Sequence, residues 1–144
     1  MKIALGADHK GYPLKEKIKE YLQSAGHEVT DFGTHSEESV DYPDFGLKVA
    51  HAVADGAVNC GINICWTGNG MNIASNKVKG IRSGLCLNVE MARLTREHND
   101  ANVLSLAAKY TPDDDGLLIV EKFLNSEFSG GRHIQRLEKI TAEE

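Results

Sequence analysis

Short apolar runs alternate with helical patterns along the chain, and this alternation constrains the fold more than any other feature. The apolar runs predict strands over residues 2–5, 27–32, 59–65, 81–87 and 101–106. Apolar residues at helical spacing predict helices over residues 13–25, 45–54, 89–97 and 132–140, one that ends near residues 79–80, and one that begins at Pro112. Such alternation indicates βαβ units and a parallel sheet. We therefore predict one doubly wound α/β domain over residues 1–144, with five parallel strands flanked by helices.

The composition argues against several classes of protein. The 144 residues suffice for one core, and a net charge of -5 disfavours a nucleic-acid partner. No apolar run is long enough to span a membrane, and the first residues do not resemble a signal peptide. Three cysteines without a secretory signal predict reduced thiols in the cytoplasm. The cysteine spacing is not that of a zinc site, so we expect no metal.

The stretch from Ile62 to Ala74 carries the strongest indication of chemistry. An apolar run ends in Cys65 and is followed by the turn Trp66-Thr67-Gly68-Asn69-Gly70 and a helical segment. A strand, a glycine turn and a helix N-terminus direct several backbone N–H groups at one point, which attracts an anion. We expect this field to lower the pKa of the Cys65 thiol below its usual value of about 8.5. A base or nucleophile beside an anion hole indicates a catalytic site; the alternative is a buried cysteine before an ordinary turn.

Polar residues elsewhere give further candidates. Asp8 and His9 follow the first predicted strand, and in parallel sheets ligands bind where strands end. The alternative for Asp8 is to cap the first helix. His98 and Asn99 lie at a predicted helix end instead, so they need a neighbouring loop or another subunit to join the others.

A basic pair lies on the last predicted helix. Arg132 and Arg136 are one helical turn apart, within a local cluster of positive charge, and this spacing suits the binding of one phosphate. The alternative is a solvated helix face.

The chain contains partial matches to three phosphate-binding motifs but a complete match to none of them. Residues 6–11 have the glycine spacing of a P-loop, but Tyr12 and Pro13 replace the required Lys-Ser/Thr. Ile73 replaces the third glycine of a dinucleotide fingerprint, and Met71 replaces the arginine of a thiol phosphatase loop. These departures disfavour NTPase, dehydrogenase and phosphatase activities.

Six segments together resemble ribose 5-phosphate isomerase B and its relatives, the galactose 6-phosphate isomerase subunits. Their order and spacing are specific, and the likeness covers nearly the whole chain. The segments are Gly6-Ala7-Asp8-His9, Asp41-Tyr42-Pro43-Asp44, Cys65-x-Thr67-Gly68-x-Gly70-Met71, Asn76-Lys77-x-x-Gly80-Ile81-Arg82, Arg96-x-His98-Asn99-Asp100-Ala101-Asn102-Val103-Leu104 and Gly131-Arg132-His133-x-x-Arg136.

The resemblance implies a cofactor-free aldose–ketose isomerase with a Rossmann-like or flavodoxin-like sheet. By position, Cys65 would move a proton between C1 and C2 of the sugar. Backbone N–H groups from Trp66 to Gly70 would hold the enediolate oxygen, with help from Thr67, and His98 would open the sugar ring.

The resemblance also implies how a phosphorylated sugar is bound. Asp8 and Asn99 would hold sugar hydroxyls, and His9, Arg132 and Arg136 would hold the phosphate. The sites of the family form between the subunits of a homodimer. This leaves open whether the chain forms a dimer or a tetramer.

Two residues depart from the family pattern. Trp66 stands where the family usually has glycine, which makes the loop beside Cys65 bulkier. Lys109 stands where a phosphate-binding arginine is common, so the charge is kept but the bidentate fork is lost.

The leading hypothesis is interconversion of ribose 5-phosphate and ribulose 5-phosphate. The alternatives are an isomerase for allose or galactose 6-phosphate and a sugar-phosphate binding protein without catalysis. A thiol redox enzyme is disfavoured because there is no C-x-x-C motif.

Overall fold

The computed structural model describes residues 1–144 and contains five strands and six helices. The strands are β1 (Lys2–Ala7), β2 (Glu28–Asp31), β3 (Cys60–Cys65), β4 (Ser83–Leu85) and β5 (Val103–Ala107). The helices are α1 (Tyr12–Ser24), α2 (Pro43–Ala54), α3 (Asn69–Ser75), α4 (Val89–Asn99), α5 (Asp113–Leu124) and α6 (Arg132–Thr141). None of these helices combines the length and the apolar character needed to cross a bilayer.

All five strands are parallel and lie in the order β2-β1-β3-β5-β4, which confirms the predicted fold class. The chain adds β2 on one side of β1 and then crosses to add β3 on the other side. This reversal opens a crevice beyond the ends of β1 and β3, where ligands bind in doubly wound sheets. Cys65 ends β3 and Asp8 directly follows β1, so both lie at this crevice.

Apolar residues cover both faces of the sheet. All six residues of β3 are buried, as expected for a central parallel strand with helices on either side. A larger apolar cluster packs α1 and α5 against one face, and a smaller one packs α2 against the other. The two layers hold the strand ends, and therefore the residues that follow them, in fixed positions.

Some predicted boundaries are wrong for local reasons. The fourth strand is shorter than predicted, and α3 ends at Ser75 rather than near residue 79. The Asn76 side chain explains this end, because its amide accepts from Ser83 N at 2.8 Å and donates to Ser83 O at 2.9 Å. At the other boundary, α4 continues through His98 and Asn99, and Asp100 ends it in the left-handed conformation with φ 44°.

The sequence pattern did not predict a buried ion pair between α1 and β2. Lys15 is fully buried, and its Nζ lies 2.7 Å from Asp31 Oδ2 and 2.6 Å from Glu16 Oε1. Burial raises the pKa of Asp31, but hydrogen bonds from Lys15, Lys19 and Gly33 outweigh this and hold the pKa below its ordinary value. Asp31 is therefore ionised at neutral pH and compensates the buried ammonium group.

Candidate active site

Cys65 lies at the end of β3, at the edge of the sheet where the parallel strands end. It is only 4% exposed, yet it belongs to neither apolar cluster. The following turn reaches α3 through Gly68, whose φ is 73°. A Cβ at Gly68 would lie 2.4 Å from Leu85 Cδ1 and 3.0 Å from the Leu106 carbonyl oxygen, so only glycine fits there. The tight turn brings backbone N–H groups back towards the sulfur; we call residues 65–71 the cysteine cradle.

The expected lowering of the Cys65 pKa is wrong. Burial is the largest influence and raises the pKa of the thiol, and the nearby Asp8 carboxylate raises it further. The backbone N–H groups of Met71, Gly68 and Gly70 act in the opposite direction but do not outweigh burial. The thiol is therefore mostly protonated at neutral pH in this state. The cradle still favours negative charge at the sulfur once a proton has left.

Asp8 and His9 both lie beside the cradle, and one side-chain atom of each already accepts hydrogen bonds within the chain. Oδ1 of the buried Asp8 accepts from Lys10 N at 3.0 Å and from Gly11 N at 2.8 Å, so this carboxylate stabilises the start of α1. Its Oδ2 has no partner within the chain and is free for a ligand. His9 Nδ1 accepts from Val40 N at 3.2 Å. A neutral His9 therefore carries its proton on Nε2, which can donate to an anion.

Trp66 and Lys109 meet at the mouth of the crevice. Lys109 N donates to Trp66 O at 2.9 Å, which joins the residues that follow β5 and β3. The ammonium groups of Lys10 and Lys109 lie 5.6 Å and 5.8 Å from the centre of the Trp66 ring, and neither forms a salt bridge. The indole is 45% exposed, so it borders the crevice instead of filling it. Sequence reasoning did not select Lys10, although its position directly after His9 was a usable signal.

His98 and Asn99 lie at the opposite edge of the sheet. Cys65 is in register with Ala107, the last residue of β5, whereas α4 ends just before β5 begins at Val103. The chain just before β5 binds the start of β3, because Gly61 N donates to Asn102 O at 3.0 Å. Five steps of about 3.3 Å lead along the chain from Asn102 to Ala107, which is in register with Cys65, so the two levels lie roughly 16 Å apart. One chain therefore does not bring His98 to Cys65.

The two arginines belong with His98. The rings of His98 and His133 stack with centroids 4.4 Å apart and planes inclined by 15°. This contact sets α6 against the end of α4, with Arg132 and Arg136 exposed on the same helix. The candidate residues thus form two groups. The cysteine group comprises Asp8, His9, Cys65 to Gly70 and Lys109, and the histidine group comprises His98, Asn99, Arg132 and Arg136.

Comparisons with known proteins agree with this arrangement of strands and loops. Residues 3–140 match the family described as Ribose/Galactose Isomerase. The chain is 47% identical over 141 residues to ribose-5-phosphate isomerase B of Escherichia coli, covering 98% of this chain and 95% of that protein.

Two solved structures extend the comparison. Ribose-5-phosphate isomerase B of Clostridium thermocellum superposes with a TM-score of 0.98 at 55% identity, covering 99% of this chain and 97% of that one. The enzyme of Mycoplasma genitalium, solved with bound ribulose-5-phosphate, has a TM-score of 0.95 at 39% identity, covering 99% and 95%.

Proposed function

The chain belongs to the ribose/galactose isomerase family, and we propose that it interconverts ribose 5-phosphate and ribulose 5-phosphate through an enediolate. The observation that carries this assignment is the cysteine cradle, where a thiol at the end of β3 faces the backbone N–H groups of Gly68, Gly70 and Met71. The whole chain 1–144 acts as one domain, which the single continuous sheet supports.

The cradle supplies the proton transfer. The Cys65 thiolate removes the proton from C2 of the open-chain aldose, and the electron pair moves to the carbonyl oxygen at C1. The resulting enediolate is stabilised by backbone N–H groups of the turn, with Thr67 beside them; single donors of this kind are worth roughly 2.7–4 kcal/mol in comparable oxyanion holes. The C2 hydroxyl then loses its proton and the C1 oxygen gains one, and return of the proton from sulfur to C1, as the C2 carbonyl forms, gives the ketose. These reaction steps together are a net hydrogen shift and need no oxidant.

The raised pKa of Cys65 affects how readily the thiol loses its proton and becomes the base. A base whose pKa lies above the working pH is a strong acceptor, but only a small fraction of it is ionised. The raised pKa comes from burial and from Asp8. Binding of a sugar that hydrogen-bonds to Asp8 would weaken the effect of its charge. Substrate binding therefore reduces the influence of Asp8, while burial continues to favour the protonated thiol.

The remaining steps need the histidine group. Ribose 5-phosphate is a closed ring, and opening breaks the bond between C1 and the ring oxygen. The ring oxygen gains a proton and the C1 hydroxyl loses one; we assign the donor to His98. Asp8 and Asn99 hold hydroxyls, and His9, Lys109, Arg132 and Arg136 hold the phosphate. Because the two groups lie at opposite edges of one sheet, each complete site combines the groups of two subunits in a homodimer.

Reduced thiols support a cytoplasmic location. All three cysteines are free, and Cys60 and Cys86 are buried. Free thiols are typical of proteins from reducing compartments.

A coupled assay with ribose 5-phosphate tests the activity and the base together. Replacing Cys65 with alanine is expected to lower kcat by about 10²–10⁴-fold, while Cys60→Ala, a change in the same strand, serves as the matched control and retains activity. Allose 6-phosphate and galactose 6-phosphate are assayed in parallel. Turnover that survives Cys65→Ala would contradict the base assignment. Binding of all three sugars without turnover would instead identify a binding protein, and a higher kcat/KM with a hexose phosphate would overturn the substrate.

A further inference from the structure

The imidazole rings of His98 and His133 stack, and the proposed reaction gives His133 no role. The two rings lie nearly parallel at 4.4 Å, one at the end of α4 and the other in the first turn of α6. His133 is 8% exposed, whereas the neighbouring Arg132 and Arg136 are exposed. The first turn of α6 therefore directs one ring inward at His98 and two guanidinium groups outward.

His98 lacks the usual means of orienting a catalytic histidine. A general acid or base is normally held by a hydrogen bond from a third group on its other ring nitrogen. His9 has such a bond from Val40 N, but neither ring of the stacked pair makes a side-chain hydrogen bond within the chain. Both nitrogens of His98 are thus free for a ligand, and the stacked ring of His133 is the contact that fixes the plane of the imidazole.

The surroundings of His133 favour its neutral form. Burial, then the charges of His98, Arg132 and Arg136, lowers the pKa of His133. A neutral His133 ring can stay stacked while His98 gains or loses a proton, because only one member of the pair then carries charge. The stack can thus persist through a proton-transfer cycle at His98.

We propose that His133 is a positioning residue for ring opening, which orients the imidazole of His98 by stacking and ties it to the helix that carries the two phosphate-binding arginines. The proposal rests on the proposed function. It adds that the ring-opening acid and the phosphate contacts are one rigid unit of the same subunit. A bound phosphate then fixes α6, and α6 fixes the plane in which His98 delivers its proton.

The test compares a sugar that must be opened with one that cannot close. The first is ribose 5-phosphate, and the second is 4-deoxyribose 5-phosphate, which lacks the hydroxyl that forms the furanose ring. His133→Leu removes the stacking ring, His133→Phe keeps a stacking ring without nitrogens, and His98→Asn removes the acid itself. All variants are first compared with the wild type by circular dichroism and by thermal unfolding.

The expected result is a selective loss. Orientation supplies part of the roughly 10²–10⁴-fold that a general acid contributes, so we expect His133→Leu to lower kcat for ribose 5-phosphate by about tenfold. Its KM should stay within about twofold because both arginines remain, and kcat for the open-chain sugar should not change. His133→Phe should restore most of the loss. Adding His133→Leu to His98→Asn should cause no further loss, since residues that act together are not additive.

Several outcomes would overturn the proposal. Equal losses with both sugars would indicate a merely structural role, and so would additive losses in the double variant. Failure of His133→Phe to restore activity would assign the role to the ring nitrogens and not to stacking. If His133→Leu does not fold, His133→Phe decides the question: a loss in that variant confined to ribose 5-phosphate would overturn the stacking role. A wild-type protein inactive on both sugars would instead remove the proposed function.

Discussion

Mixing two inactive variants tests whether each site is shared between subunits. Cys65→Ala inactivates the cysteine group and His98→Asn inactivates the histidine group, which lie roughly 16 Å apart along the strands. Neither variant alone has a complete site. In a hybrid dimer, one site carries both substitutions, while the other combines the intact cysteine group of one subunit with the intact histidine group of its partner.

The recovered activity follows from this arrangement. If subunits of equal concentration assort at random, about half of the dimers are hybrids, and each hybrid has one working site of two. The mixture should therefore reach about a quarter of the wild-type activity on ribose 5-phosphate. The matched control mixes Cys65→Ala with Asp8→Asn, because both changes fall in the same group. Every hybrid site of that mixture carries one of the two defects, so its activity should not exceed that of the two variants assayed separately.

The assay co-refolds differently tagged variants, isolates the hybrids by two successive affinity steps, and measures turnover and mass. Recovery with the cross-group pair and none with the control pair is the expected result. Equal recovery in both mixtures, or none in either although hybrids form, would refute the shared site. The mass of the purified hybrid also distinguishes a dimer from a tetramer.

Three further predictions follow from individual contacts. Alkylation of Cys65 by iodoacetamide, followed by mass spectrometry, should have its midpoint above the ordinary range of a cysteine thiol, because burial raises the pKa of this thiol. Asp8→Asn should move that midpoint down because it removes a charge that raises the thiol pKa. A wild-type midpoint at or below about 8.5 would contradict this. Trp66→Gly removes the ring beside two lysine ammonium groups, and cation–π contacts at exposed sites are worth roughly 0.5–1 kcal/mol. The KM for ribose 5-phosphate should therefore rise about two- to fivefold with little change in kcat. An unchanged KM would show that the ring does not hold these ammonium groups for the phosphate. Asp31→Asn leaves the buried Lys15 ammonium group with the Glu16 carboxylate as its remaining charged partner. The loss of one hydrogen bond between charged groups should destabilise the fold by about 1.5–3 kcal/mol in urea unfolding at pH 7. Because the pKa of Asp31 is lower in the folded state, the wild type should have the higher free energy of unfolding above the unfolded pKa of about 3.9. This difference should disappear as the pH falls through the pKa of the folded state. A difference in unfolding free energy that does not vary with pH would contradict the prediction.

The fold was predictable because it depends on patterns that a linear sequence displays. Five apolar runs separated by helical spacing specify a parallel sheet with helices on both faces. The order of the strands was not predictable in the same way. Placing β5 between β3 and β4 depends on pairing between strands distant in sequence, such as β3 with β5. The end of α3 was also missed, because the Asn76 side chain binds Ser83 across a turn.

The residues of the candidate site were also only partly predictable from the sequence. Residues that directly follow a strand, such as Cys65 and Asp8, are predictable because strand ends of a doubly wound sheet meet at one edge. The direction of the Cys65 pKa was predicted wrongly because the sequence displays the glycine turn but not the extent of burial. Lys15 and His133 were missed because a charged or polar residue on an amphipathic helix is assumed to face solvent. Only the partner on another element, Asp31 or His98, explains why each is buried.

The separation of the two groups follows from the geometry of a βα unit. A strand ends at one edge of the sheet, the next helix starts there, and its far end must return to the other edge before the next strand begins. Cys65 is at a strand end and His98 is in the last turn of a helix, so they lie at opposite edges of any sheet built this way. Shortening α4 would not bring them together, since β5 must still start beside β3. A second copy can bring them together. In the proposed homodimer, subunit association completes the site, so a substitution that separates the subunits should abolish turnover while Cys65 and its cradle remain intact.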